Sequence, residues 1–192
     1  MTPTPSQPPV TLERGQMWSP LNNARPGLWQ VEQGMLLVQC ATNLDPGAWH
    51  LALPGDCLNL PAACGLGEGD FAGPGAAQVT ALLPSRLRVL PVPGRVNREH
   101  LLGQLVVQQQ RWMSHLMALR TGPVECRVRH LLTLTRLAAG AAGAGREPRL
   151  PVLRDMAALV DAVPETVCRV LTRLQPRQAR RRRKTAAAMA LT

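Results

Sequence analysis

The spacing of apolar residues changes once along this chain of 192 residues, at Pro93-Gly94. Before that point, short apolar runs are separated by turn-forming residues, and apolar and basic residues alternate from Arg86 to Val89. After it, apolar residues recur at steps of three and four. A period of two is typical of strands and a period near 3.5 is typical of helices. The chain is therefore predicted to be α+β, with strands first and helices second.

Changes in composition predict four regions. Residues 1–26 are rich in Pro, Ser, Thr and Asn, so we expect a flexible N-terminal arm. Residues 27–93 hold short runs between Pro-Gly and Gly-Asp turns, which predicts an antiparallel β-barrel or sandwich. Residues 94–120 are predicted to form one long helix, and residues 121–192 a smaller helical domain.

The predicted long helix carries a heptad-like seam. Its members follow steps of 3, 4, 3, 4 and 3 and are Leu102, Leu105, Gln109, Trp112, Leu116 and Leu119. Such a seam packs either on the protein's own barrel or on the same helix of a second subunit. A polar residue such as Gln109 within a seam can fix the register of a two-stranded coil, which favours the second subunit. We therefore expect a homodimer.

The formal net charge of +10 indicates a polyanionic partner or an anionic membrane surface. No run approaches the roughly 20 apolar residues that a membrane span needs. Residues 1–10 also lack the charged-then-apolar pattern of a signal peptide. We expect a cytoplasmic protein that binds nucleic acid and no membrane.

The cysteines are few and scattered. They are Cys40, Cys57, Cys64, Cys126 and Cys168. Because their number is odd and no C-x-x-C pair occurs, neither a disulfide framework nor a zinc module is expected. Buried, reduced thiols are expected instead.

Two short helical segments, Leu153 to Val160 and Pro164 to Leu174, are separated by only three residues. This spacing predicts a helix-turn-helix. The tight turn needs a residue that tolerates a left-handed backbone, and Asp161 is acceptable because its short polar side chain can hydrogen-bond locally. In the second helix, positions i, i+3, i+4 and i+7 predict a buried stripe of Val167, Val170, Leu171 and Leu174.

The other side of this second helix is polar. Its members are Glu165, Thr166, Arg169, Thr172 and Arg173. In a DNA major groove, Arg contacts guanine and a carboxylate accepts from cytosine, so Arg169 and Glu165 are candidate base readers. Thr166, at the helix start, is a candidate phosphate contact. The alternative is an ordinary solvated helix face with an ion pair between residues 165 and 169.

A basic run after this helix favours the DNA-binding interpretation. The predicted phosphate contacts in it are Arg180, Arg181, Arg182, Arg183 and Lys184. A winged helix-turn-helix places a strand pair against the DNA backbone at this position, which gives the run a geometric reason to neutralise phosphates.

The segment E-T-V-C-R-V-L-T-R-L, preceded by LPVLRDMAALVDAVP, resembles the CRP/FNR family of bacterial transcription regulators. A Pro-Gly-Asp turn at residues 54–56, a long helix and a second helix beginning PVECRVRHLL follow the family's order. The resemblance implies a jelly-roll barrel like a cyclic-nucleotide-binding domain, a dimerisation helix and a winged helix-turn-helix. It also implies a homodimer that binds a roughly palindromic DNA site through Glu165, Thr166 and Arg169, with RNA polymerase as a further partner.

Three departures from the family's pattern limit these expectations. Val163 and Pro164 stand before Glu165, where the family often has Arg or Ser, so the half-site sequence is not implied. The Gly-Glu and Arg-Ser or Arg-Thr pairs that hold the phosphate of a cyclic nucleotide are absent from residues 57–61 and 75–77, so no cyclic AMP or cyclic GMP is expected. The clustered cysteines that hold an iron-sulfur cluster are absent as well, and no cofactor is expected.

Two other functions can be weighed. A cupin-type metalloenzyme needs two or three His with a carboxylate, whereas the barrel region offers only His50, so no enzyme is expected. A degenerate regulator would bind nucleic acid without sequence preference, or a protein partner, through its basic C-terminus. The sequence leaves this alternative open.

Overall fold

The computed structural model describes residues 8–19, 28–39, 49–60, 78–90, 98–140 and 149–174. The chain forms two compact units. The first comprises Met1–Met117 together with Thr133–Leu150, and the second comprises Ala118–Leu132 together with Pro151–Thr192. These two units are a different division from the four regions predicted from composition, whose bounds stay a prediction.

The strands described in the first unit form two four-stranded antiparallel sheets. The strands are β1 Val10–Leu12, β2 Met17–Trp18, β3 Leu28–Gln33, β4 Leu36–Gln39, β5 Trp49–Ala52, β6 Cys57–Leu58, β7 Gln78–Ala81 and β8 Ser85–Leu90. One sheet has the order β1-β8-β3-β6 and the other the order β2-β7-β4-β5. Strands that follow one another along the chain are thus distributed over two antiparallel sheets, which confirms the predicted jelly-roll barrel.

A shared apolar core lies between the two sheets. The first sheet contributes residues such as Trp29 and Leu87, and the second contributes residues such as Leu36 and Val79, all buried in one cluster. Leu87 is fully buried whereas its neighbours Arg86 and Arg88 are exposed. The alternation seen in the sequence thus separates the core face of β8 from its outer face.

The prediction of a flexible arm over residues 1–26 is wrong for part of that range. β1 pairs with β8, and β2 pairs with β7. Leu12 is only 1% exposed and belongs to the core. The composition of the arm hid these strands because each is too short to show a period, and their stability comes from partners distant in sequence. The remaining residues of the arm lie outside the described ranges.

Within the described ranges, four helices follow the strands. They are α1 Arg98–Arg120, α2 Val124–Ala139, α3 Leu153–Leu159 and α4 Pro164–Leu174. The long helix and the two helices of the predicted helix-turn-helix are thereby confirmed. Across the described residues, no helix has both the length and the apolar character that a membrane crossing requires.

Helix α1 is fixed to the first sheet by a cluster of polar contacts. The side-chain amide of Gln108 accepts from the backbone N–H of Cys57 at 2.7 Å and donates to the carbonyl of Cys57 at 2.8 Å. Next to it, the buried carboxylate of Asp56 accepts hydrogen bonds from the side chains of Arg111 and Trp112. Burial raises the pKa of Asp56, and the donors around it oppose that rise. The Pro-Gly-Asp turn therefore anchors the long helix.

Part of the predicted seam of α1 packs within the chain. Leu102 and Leu105 pack against a buried cluster that includes Leu28 and Leu60. Trp112 donates a hydrogen bond to Asp56, and Leu116 is half-buried. Leu119 is fully buried in the second unit, whereas Gln109 is exposed. Leu119 is therefore unavailable to a second subunit, while a dimer contact through the other five residues stays a prediction.

Candidate nucleic-acid interface

The turn between α3 and α4 has the backbone that a helix-turn-helix requires. Asp161 has a φ of 49°, in the left-handed region, as its sequence position predicts. Its carboxylate Oδ1 lies 3.4 Å from Nη1 of Arg120, at the end of α1. The following residues then start α4, with the backbone N–H groups of Thr166 and Val167 donating to the carbonyl of Val163.

An arginine from α2 also holds this turn. Nη1 of Arg127 donates to the carbonyl oxygen of Val160 at 2.6 Å and to that of Asp161 at 3.2 Å. Val160 is the C-cap of α3, where backbone carbonyls lack helical partners and the helix dipole favours a positive charge. Arg127 therefore fixes the end of α3 and the start of the turn. Its role could not be found from sequence, because no short-range pattern links α2 to residue 160.

Helix α4 is strongly amphipathic. Val167 is fully buried and Val170 is 7% exposed, whereas Leu171 and Leu174 are half-buried. The predicted stripe therefore faces the interior of the second unit. This packing fixes the direction in which the polar side of the helix points.

The polar side of α4, which the sequence predicts to contact DNA, faces solvent. We call its five residues, 165, 166, 169, 172 and 173, the reading surface. Glu165, Arg169, Thr172 and Arg173 are exposed, and Thr166 is half-buried. The ion pair proposed between Glu165 and Arg169 does not form, and within the described ranges neither of them takes part in any salt bridge. Both side chains are therefore available to a ligand.

Two members of this surface have partners within the second unit. The hydroxyl of Thr172 donates to the carbonyl of Cys168 at 2.9 Å. Nη1 of Arg173 lies 3.2 Å from Oε2 of Glu125, whose other oxygen binds Arg129 at 2.8 Å. Hydrogen bonds from Arg129 and Arg173 lower the pKa of Glu125, so this carboxylate is charged at neutral pH. The spacing of Glu125 and Arg129 could have predicted their pairing, but the contact with Arg173 could not be predicted.

The predicted phosphate contacts Arg180, Arg181, Arg182, Arg183 and Lys184 lie outside the described residues. So do Cys40 and Cys64. Of the other cysteines, Cys57 is buried as expected, while Cys126 and Cys168 are exposed. The prediction of buried thiols is wrong for these two because both lie on outward sides of amphipathic helices.

Among the described residues, no group of three or more His, Cys, Asp or Glu is placed to hold a metal ion. Two features of the first unit bear on ligand binding. His50 stacks on Trp112 with ring centroids 3.6 Å apart, and burial lowers its pKa to about 4. A cleft of about 460 Å³ lies between the first sheet and α1, and its polar lining includes Gln30, Gln104 and Arg111.

Comparisons with solved structures place this architecture among known folds. A CRP-family transcriptional regulator of Thermus thermophilus superposes with a TM-score of 0.59 and 19% identity, covering 87% of this chain and 84% of that one. FixK2 of Bradyrhizobium japonicum superposes with a TM-score of 0.57 and 19% identity, covering 90% and 86%. A putative CRP/FNR-family regulator of Eubacterium rectale superposes with a TM-score of 0.53 and 14% identity, covering 87% of this chain and 78% of that one.

The sequence matches no protein-family model and no curated protein. At identities this low, the superpositions establish a shared fold. The chain has the fold of the CRP/FNR transcriptional regulators, as the resemblance of its sequence implied.

Proposed function

We propose that this protein is a transcription regulator that binds a roughly palindromic duplex DNA site as a homodimer. One observation carries the proposal: the exposed side chains of Glu165 and Arg169 lie on a helix that a left-handed turn at Asp161 joins to α3. In such motifs the second helix enters the major groove, with its N-terminal residues on base edges. The net charge of +10 suits a polyanionic partner. Proteins of the same fold are described as transcriptional regulators.

The basic run from Arg180 to Lys184 would add phosphate contacts of no sequence preference. The regulator would act in the cytoplasm, beside genomic DNA and RNA polymerase. Nothing in this function requires catalysis by the protein.

The dimer would form through a side of α1 next to the seam predicted from sequence. Val106 and Met113 are 62% and 61% exposed, and Met117, one helical turn further on, is 53% exposed. Gln110, also exposed, falls between them, so the four residues follow steps of four, three and four. That spacing is a heptad seam, and pairing with a second copy would remove its apolar surface from water. We call these four residues the outer seam.

We propose that the regulator works without a cyclic nucleotide. Of the described residues after the Pro-Gly-Asp turn, Cys57 and Leu60 are buried in an apolar cluster with Leu28 and Leu101, and none of residues 57–60 is a Glu or an Arg. The rings of Trp18 and Trp29 meet edge to face at the core between the sheets, with their centroids 5.1 Å apart. Titration with cyclic AMP should therefore leave the affinity for DNA unchanged.

Selection from a random duplex pool with the full chain tests the proposed function. The expected result is a shared inverted repeat. The centres of its two half-sites should lie about 34 Å apart, which is one turn of the DNA helix. Competition at fixed salt should then show a large excess of affinity for that repeat over bulk DNA. Equal affinity for both would reject the proposal in favour of a regulator that binds nucleic acid without sequence preference.

A further inference from the structure

The end of α4 that enters the groove in the proposed function is apolar as well as charged. Val163 precedes the helix and is 59% exposed. Pro164, the first helical residue, is exposed too. The carbonyl of Val163 accepts from the N–H groups of Thr166 and Val167, so Val163 occupies the N-cap position. A valine side chain cannot cap those N–H groups, and here it is directed to solvent rather than to the core.

The position of Val163 restricts what it can contact on DNA. The N-terminal residues of a recognition helix are the ones that reach base edges. Neither Val163 nor Pro164 has a side-chain hydrogen-bond donor or acceptor, so neither can recognise the polar groups of G, C or A. The apolar group that a major groove presents is the C5-methyl of thymine.

We infer that Val163 selects a thymine in each half-site by packing on its C5-methyl group, beside the base pair read by Glu165 and Arg169. The inference rests on the proposed function and specifies its substrate. Glu165 and Arg169 would then recognise the polar groups of one base pair, and Val163 the methyl group of the adjacent pair. A methyl contact is available only to a side chain that is exposed before binding, as Val163 is.

Removal of one methyl group from the DNA tests this contact. In the duplex selected by the full chain, each thymine is replaced in turn by deoxyuridine, which lacks only the C5-methyl. One position per half-site should lose affinity about fourfold, equivalent to about 0.8 kcal/mol, the value of one buried methyl or methylene group. In V163A, which keeps only the β-carbon, the loss of affinity caused by deoxyuridine at that position should be clearly smaller than in the parent protein.

The matched control is V152A, which removes the same atoms from another exposed valine of the second unit, at the start of α3. This variant should keep the full deoxyuridine effect. A deoxyuridine scan without any sensitive position, or one whose sensitive position persists unchanged in V163A, overturns the inference while leaving specific binding intact. A selected pool without a common half-site overturns both this inference and the proposed function.

Discussion

Glu125 on α2 and Arg173 on α4 form an ion pair of 3.2 Å in the second unit. The same carboxylate holds Arg129 at 2.8 Å. Arg173 was expected from sequence to contact DNA, yet a DNA phosphate would first have to displace an acidic partner. Glu125 therefore limits the positive charge that this side of the reading surface presents.

Replacing Glu125 by Gln should strengthen binding to random duplex DNA. The change releases Arg129 and Arg173 for phosphate, and each added phosphate contact steepens the plot of log affinity against log salt by about 0.9. A slope steeper by up to about two units is expected from titrations between low and moderate salt. Glu13→Gln, which removes an exposed carboxylate of the first unit, should leave the slope nearly unchanged. An unchanged slope in E125Q would show that these arginines do not reach DNA.

Replacing Arg169 by Ala should reduce affinity for the specific site by about 1 to 3 kcal/mol and relax base preference at one position. Arg169 is exposed and has no acidic partner among the described residues, so little folding stability should be lost. Binding to specific and random duplexes, measured in parallel, checks the prediction. Arg136→Ala removes an exposed arginine of the first unit and serves as the control. Equal losses on both duplexes would remove Arg169 from base reading.

Much of the second unit was predictable because its signals are local. Four apolar residues at helical spacing fix the buried side of α4, and a three-residue gap fixes the turn. The same reasoning missed Arg127 and the partnership of Glu125 with Arg173, since these contacts join residues 33 and 48 positions apart. Sequence periodicity carries no information about such distances.

The seam of α1 shows a different limit. Steps of three and four describe Leu102 and Leu105, and they describe Val106 and Met113 equally well. The two series occupy neighbouring sides of one helix. Spacing alone cannot decide which side covers the barrel, because that choice depends on the shape of the sheet and on anchors such as Asp56.

Asp161 should be replaceable by Gly but not by Ala. A residue with a β-carbon at left-handed φ destabilises the fold by about 1 to 2 kcal/mol, whereas Gly adopts this conformation without that cost. Asp161 is 74% exposed, so loss of its pair with Arg120 should matter little. Denaturant unfolding should therefore show D161G at least as stable as the parent and D161A less stable by about 1 kcal/mol. Ala158→Gly, a control within α3, should be destabilised by about 1 kcal/mol. D161A as stable as D161G would contradict this view of the turn.

His50 should make the first unit sensitive to acid. Burial lowers its pKa from 6.5 to about 4, so between these values the unfolded chain binds more protons than the folded one. Stability then rises with pH across this window and is lost as pH falls, by up to about 3 kcal/mol near pH 4. His50→Phe keeps an aromatic ring for Trp112 and should remove this part of the dependence. Denaturant titrations of both proteins from pH 7 to pH 4 measure the difference, and parallel curves would refute the assignment.

The last prediction separates the two sides of α1. If the outer seam forms the dimer, Met113→Glu places a charge in a paired apolar surface and should convert the protein to a monomer in sedimentation experiments. Gln109→Glu introduces the same charge on the neighbouring exposed side, where the sequence alone had placed the contact, and should leave the dimer intact. The monomeric variant should bind a single half-site at most, because both recognition helices must be held one DNA turn apart. A monomeric Q109E with a dimeric M113E would restore the seam predicted from sequence and reject the outer one.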